Sequence, residues 1–176
     1  MSHSDRMNHP ERVVELYLQP GDFFFGDRST RMHTLLGSCV AITLWHPRQR
    51  IGGMCHYMMP GGQPDVPVSK LDGRYAADAI ALFQNEVRLA GTRPGEWVAK
   101  MFGGGSQFPK SSPAGGNGLP ARNIKAGVTL LGMNGFSITA KHFGGNGHRQ
   151  VVFDIGTGDV WLKHVDEVSP RKDHLG

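Results

Sequence analysis

Cysteine is scarce in this chain: two residues in 176 are too few for a fold held together by disulfides. Cys39 and Cys55 are also too far apart for the close pairs typical of zinc sites, so both are expected to be reduced thiols. No apolar run approaches the roughly 18 residues that a membrane-spanning helix needs, and residues 1–11 lack the apolar segment of a secretion signal. The sequence therefore predicts a cytoplasmic protein without membrane insertion.

The chain also has little excess of positive over negative charge and no common cofactor-binding motif. The formal net charge is only +4 and is spread along the chain, whereas nucleic-acid-binding proteins usually carry a clustered basic stripe. The glycine-rich segments complete neither of the common phosphate-binding patterns. The nine histidines include no H-E-x-x-H or H-x-H spacing. We therefore expect no nucleic-acid partner, no cofactor and no metal, and the mild positive charge favours an acidic protein surface as partner.

Glycine, by contrast, is abundant at 25 residues, and the pattern of apolar residues predicts a single α+β domain over residues 12–168, with polar tails at 1–11 and 169–176. Period-two, β-branched or aromatic runs predict strands at 12–18, 23–25, 35–45, 50–59, 97–102, 137–142, 149–154 and 160–163. Three- and four-residue spacing predicts helices at 72–90 and 123–131, the second capped by Asn123, with a long loop at 103–120.

The strands at 35–45 and 50–59 are expected to form a hairpin around a turn at 46–49. A turn centred between residues 47 and 48 places Cys39 directly opposite His56, and directly opposed Cβ atoms lie about 4.5–5.5 Å apart. This geometry predicts Cys39 as nucleophile and His56 as general base. Cys55 falls opposite Val40 on the other face and is expected to be a core residue. The alternative is an incidental thiol in an ordinary strand.

Gly37 and Ser38 precede the candidate nucleophile. Small residues let a substrate approach the backbone and let peptide N–H groups point toward a developing oxyanion, although a plain strand-entry turn also explains them. An imidazolium at His56 is expected to lower the pKa of the Cys39 thiol. The residues alone thus predict thiol-based acyl transfer, which includes deamidation, transglutamination and proteolysis.

Seven segments, in order within residues 12–163, carry a resemblance to a known family: LLGSCVA (35–41), GGMCHYMMP (52–60), YAADAI (75–80), KMFGGG (100–105), RNI (122–124), GGNGHR (144–149) and GDVWLK (158–163). Together they resemble the chemoreceptor glutamine deamidases, the CheD family. The resemblance implies conversion of glutamine side chains to glutamate on the cytoplasmic helices of methyl-accepting chemotaxis receptors. On matching positions it implies Cys39 as nucleophile and His56 as base, with no cofactor.

The family also places an assisting threonine six residues before the cysteine, where this chain has His33. Thr34 is the neighbouring candidate, which a one-residue bulge would bring into place; His33 is the position-matched alternative, and a backbone carbonyl that orients His56 is another.

The implied fold is a β-sandwich of mixed sheets flanked by helices, related to toxin-type cysteine deamidases. Implied partners are the receptors and, in some members, a CheC-type phosphatase. A non-catalytic module that binds receptors or the phosphatase is the alternative function.

Overall fold

The computed structural model describes residues 12–107 and 117–166. The expected tails at 1–11 and 169–176 lie outside the described residues, as does part of the loop expected at 103–120. The elements follow one another as β1 (Val14–Leu18), β2 (Phe23–Gly26), β3 (Thr30–Leu36), β4 (Val40–His46), β5 (Ile51–Tyr57), α1 (Ala76–Leu89), β6 (Val98–Gly103), α2 (Leu119–Met133), β7 (Ile138–Phe143), β8 (His148–Asp154) and β9 (Val160–Val165).

The strands form two sheets: sheet A in the order β1-β3-β8-β9 and sheet B in the order β2-β5-β4-β6-β7. Both sheets are mixed, because β1 runs parallel to β3 and β6 parallel to β7 while the other neighbours are antiparallel. A buried apolar layer that includes Met32, Leu36, Met54, Val151 and Phe153 joins the sheets. The chain is therefore a single α+β domain built on a sandwich of mixed sheets.

Both helices cover the outer face of sheet B, over a second apolar layer. In α1, Ala79, Ile80, Phe83 and Val87 recur at helical spacing and are buried, as the sequence predicts. The second helix begins at Leu119, four residues before the expected start. Pro120 occupies its first turn, where the fixed φ of proline suits a helix. Asn123 is consequently not a cap but a fully buried residue inside α2.

The strand expected at 35–45 is two strands. Residues up to Leu36 belong to β3 in sheet A, and residues from Val40 belong to β4 in sheet B, so the chain crosses between the sheets at 37–39. In β3 the buried side chains alternate, from Thr30 to Leu36, toward the inter-sheet layer. β4 has six of its seven residues buried because it lies inside sheet B, which is covered on both faces.

The expected register of the β4–β5 hairpin is wrong by two residues. Ala41, not Cys39, pairs with His56, and the turn spans residues 47–50. The cause is His46, which is a buried strand residue whose Nδ1 accepts a hydrogen bond from the Gln49 N–H at 3.1 Å. Cys55 likewise pairs with Ile42 rather than Val40. Because side chains alternate with a period of two, a two-residue error leaves every facing assignment unchanged.

Candidate active site

Cys39 lies at the crossing between the sheets, half-buried against the inter-sheet layer. Its carbonyl oxygen accepts a hydrogen bond from the Gly104 N–H at 2.8 Å. A Cβ at Gly103 would come within 2.3 Å of that oxygen, and Gly103 has φ +114°. Only glycine permits this approach, so the backbone of the glycine run that begins at the end of β6 packs directly against the backbone of Cys39.

His56 is buried on the same inter-sheet face, where its strand partner Ala41 also lies. Its Nδ1 is 2.7 Å from the Thr34 hydroxyl oxygen, and that oxygen is 3.0 Å from the carbonyl oxygen of Leu18. A carbonyl only accepts, so it takes the single hydroxyl proton and Thr34 must accept from Nδ1–H. The imidazole therefore carries its proton on Nδ1 and a lone pair on Nε2, which is buried without a hydrogen-bond partner among the described residues.

The structure places Thr34, not His33, beside His56. Thr34 reaches the ring without the expected bulge, because β3 pairs in unbroken register with β8 and faces β5 across the sandwich. His33 points to the outer face of sheet A, where its ring stacks on Tyr17 at 4.5 Å and its Nε2 contacts the Glu15 carboxylate. Alternation along β3 thus separates the two neighbours onto opposite faces.

Burial sets the resting charge of the pair. It lowers the pKa of His56 to about 4, against a smaller opposing effect of the Asp22 carboxylate. Burial also raises the pKa of the Cys39 thiol, which a hydrogen bond from the Ser38 side chain offsets only in part. The expectation that an imidazolium lowers the thiol pKa is therefore wrong for the free protein, in which desolvation favours both a neutral thiol at Cys39 and a neutral imidazole at His56.

In the crossing segment 37–39 all three carbonyl groups accept hydrogen bonds, whereas two of the N–H groups make no backbone hydrogen bond among the described residues. The carbonyl oxygens of Gly37 and Ser38 accept from the Gly105 N–H at 2.9 Å and from Asn123 Nδ2 at 3.1 Å. Within residues 12–107 and 117–166, the N–H groups of Ser38 and Cys39 donate to no backbone carbonyl. Of the two expected oxyanion residues, Ser38 thus contributes an N–H group without a backbone acceptor, and Cys39 contributes a second.

Cys55 occupies the other face of sheet B, in the layer beneath the helices. It is fully buried, and burial raises its pKa to about 12.

No group of three or more His, Cys, Asp or Glu side chains suited to a metal ion occurs in the described part of the chain. Among the described residues, no helix has the length and apolar character that crossing a membrane requires.

Sequence reasoning gave no role to Arg149, which is 2% exposed. Its guanidinium donates to His142 Nδ1 at 2.8 Å and to the carbonyl oxygens of Gly144 at 2.6 Å and Gly103 at 3.4 Å. It thereby ties the 144–147 turn to the glycine run beside Cys39. A signal existed: Arg149 stands at the same alternation as the inward-facing Val151 and Phe153 of β8.

Known proteins match this chain over most of its length. A family model described as CheD chemotactic sensory transduction matches residues 58–164. The "Probable chemoreceptor glutamine deamidase CheD 3" of Dechloromonas aromatica (strain RCB) is 48% identical over 154 residues, which cover 87% of this chain and 89% of that protein. The "Probable chemoreceptor glutamine deamidase CheD" of Pseudomonas syringae pv. syringae (strain B728a) is 43% identical over 173 residues, covering 95% and 94%.

Among solved structures, the hypothetical protein YfiH of Bacillus licheniformis superposes with a TM-score of 0.44 at 12% identity, over 76% of this chain and 60% of that one. The family match and the long, high-identity relatives agree with one another and with the order of the sequence motifs. On these grounds the chain belongs to the CheD family of chemoreceptor glutamine deamidases.

Proposed function

We propose that this chain hydrolyses the side-chain amide of glutamine residues in the cytoplasmic helices of methyl-accepting chemotaxis receptors, with Cys39 as nucleophile, His56 as general base and Thr34 as the residue that orients His56. One observation carries the proposal. The Thr34 hydroxyl accepts from Nδ1–H and so leaves an Nε2 lone pair, able to take a proton, on the inter-sheet face of sheet B, and Cys39 packs against the same inter-sheet layer.

The reaction follows from the neutral resting pair. His56 Nε2 takes the thiol proton as Cys39 Sγ attacks the amide carbon, so the charges form only when substrate is present. The protonated Nε2 then gives that proton to the departing nitrogen, and ammonia leaves. A water molecule attacks the resulting thioester with His56 again accepting a proton, which releases the glutamate carboxyl group and restores the thiol.

The negative charge that develops on the substrate oxygen needs preorganised donors. The N–H groups of Ser38 and Cys39 fit this role because they have no backbone acceptor in the described part of the chain. Their carbonyls, held by Gly105 and Asn123, fix the direction in which the peptide units point.

Intact-mass analysis of a receptor cytoplasmic fragment tests this function directly. Wild type is expected to add about 1 Da for each converted amide, since hydrolysis replaces NH2 by OH. Cys39→Ala and His56→Ala are expected to add nothing. Cys55→Ser is the matched control, because Cys55 is buried on the opposite face of the sheet. Activity in Cys39→Ala with loss in Cys55→Ser would overturn the assignment.

A cross-linked product or a cut chain in the same assay would instead indicate transglutaminase or protease chemistry, which shares the acyl-enzyme step. Binding without any mass change would favour the non-catalytic module. A CheC-type phosphatase partner, a cytoplasmic location and kinship with toxin-type cysteine deamidases stay predictions of the family resemblance. The first is checked by co-purification of this chain with such a phosphatase.

A further inference from the structure

The candidate nucleophile and base lie where the ladder between β4 and β5 stops. Val40 and Tyr57 are its last paired residues on this side. Beyond them the two chains turn to different neighbours: the Cys39 carbonyl accepts from the Gly104 N–H, and the Met58 N–H donates to the Arg74 carbonyl, both at 2.8 Å. Strand pairing therefore holds His56, opposite Ala41, but Cys39 lies one residue beyond the last pair and Met58 beyond its other end.

The side chain of Asn123 bridges these two segments. Its Nδ2 donates to the Ser38 carbonyl oxygen at 3.1 Å and to the Met58 carbonyl oxygen at 2.9 Å. An amide nitrogen has two hydrogens, so each carbonyl receives one. The bridge thus ties the residue before Cys39 to the residue two after His56, just beyond the last pair of the ladder.

The amide itself is held rigidly. Asn123 is fully buried in α2, and its backbone carbonyl accepts from the Tyr57 hydroxyl at 2.5 Å. One turn later, a Cβ at Gly127 would lie 2.5 Å from that hydroxyl oxygen, so α2 approaches β5 as closely as glycine allows. The helix therefore fixes the height of Nδ2 over both carbonyls.

We propose that Asn123 is a positioning residue that sets the distance between Cys39 Sγ and His56 Nε2; its meaning for turnover rests on the proposed function. Packing alone does not explain an amide at this position. Its Oδ1 is buried without a hydrogen-bond partner among the described residues, a cost that an apolar side chain would not carry. What the amide supplies, and an apolar side chain cannot, is the pair of hydrogen bonds donated to the Ser38 and Met58 carbonyls.

The test measures how strongly the neutral imidazole of His56 assists Cys39 as a base, by taking the thiol proton as Sγ attacks an alkylating reagent. Alkylation of Cys39 by iodoacetamide is followed by mass spectrometry between about pH 6 and pH 9, with and without His56→Ala, in wild type, Asn123→Ser and Asn123→Leu. Asn134→Ala is the control, since Asn134 lies at the other end of α2 and donates to the Leu130 carbonyl at 2.7 Å.

In wild type and Asn134→Ala, His56→Ala is expected to slow alkylation about tenfold or more, whereas in both Asn123 variants it has little further effect. With a receptor fragment, kcat is expected to fall about tenfold in those variants at similar KM. An undiminished His56 effect in a folded Asn123 variant overturns the inference, and so does global unfolding of both variants by circular dichroism. Intact coupling in wild type without any deamidation would instead refute the proposed function.

Discussion

Acidification is expected to destabilise this protein through His56. Burial lowers the pKa of its imidazole from 6.5 to about 4, so between these values the unfolded chain binds a proton that the folded chain does not. The stability that follows is fully present above pH 6.5 and is lost as the pH falls toward 4. A difference of about 2.5 pKa units corresponds to about 3 kcal/mol, of which about 2 kcal/mol is lost between pH 8 and pH 5.

Urea unfolding of wild type and His56→Gln at pH 8 and pH 5 isolates this contribution. Other groups that titrate in this range, such as His142, whose pKa burial also lowers, are present in both proteins and cancel in the comparison. The free energy of unfolding of wild type is expected to fall by about 2 kcal/mol more than that of the variant. Equal losses in the two proteins would show that His56 is not held neutral by burial, and the proposed resting state would fail with it.

Three further outcomes are expected. Thr34→Val removes the hydrogen-bond partner of the buried His56 Nδ1–H, which costs about 1–3 kcal/mol, so turnover of the receptor fragment should fall roughly 5- to 150-fold. Thr34→Ser keeps the hydroxyl and should retain most of the turnover; equal rates in the two variants would contradict the orienting role. In the native protein iodoacetamide should label Cys39 well before Cys55, whose pKa is about 12 and whose labelling should require unfolding. Gly127→Ala should lower the melting temperature although alanine favours helices, because the new Cβ would lie 2.5 Å from the buried Tyr57 hydroxyl oxygen. Gly132→Ala, whose Cβ would have no atom within 4 Å, should instead raise the free energy of unfolding by about 0.5–1 kcal/mol.

Local patterns along single elements were predictable. The spacing of Ala79, Ile80 and Phe83 gives α1, and the alternating residues of β8 give its buried face. Turn chemistry was harder, because His46 behaves as a buried strand residue that caps the turn with its own ring. The start of α2 was missed for a similar reason, since Asn123 resembles a cap until Pro120 is recognised as the first turn.

The prediction that Cys39 and His56 share one face of the hairpin rested on a wrong register. The error of two residues in the hairpin preserved the period-two alternation, whereas an error of one would have reversed it. Their charge states were not predictable, because desolvation depends on the whole layer between the sheets. A lone imidazole next to a thiol suggests an ion pair, and burial of both groups opposes it.

The partner of His56 shows where local sequence reasoning stops. Alternation along β3 predicts that Thr34 and His33 face opposite sides of sheet A, but it does not predict which strand of the other sheet lies opposite Thr34. That depends on how the two sheets stack, which the apolar layer between them decides. Thr34 and Cys39 are nevertheless linked in sequence, because only the crossing segment 37–39 separates β3 from β4. The residue proposed to orient the base, which lies near the end of β3, and the proposed nucleophile are therefore close together along the chain, while His56 is carried by β5. Because Thr34 belongs to sheet A and His56 to sheet B, a shift of one sheet against the other would change the hydrogen bond between them, so the packing of the sandwich and the geometry of the site are linked.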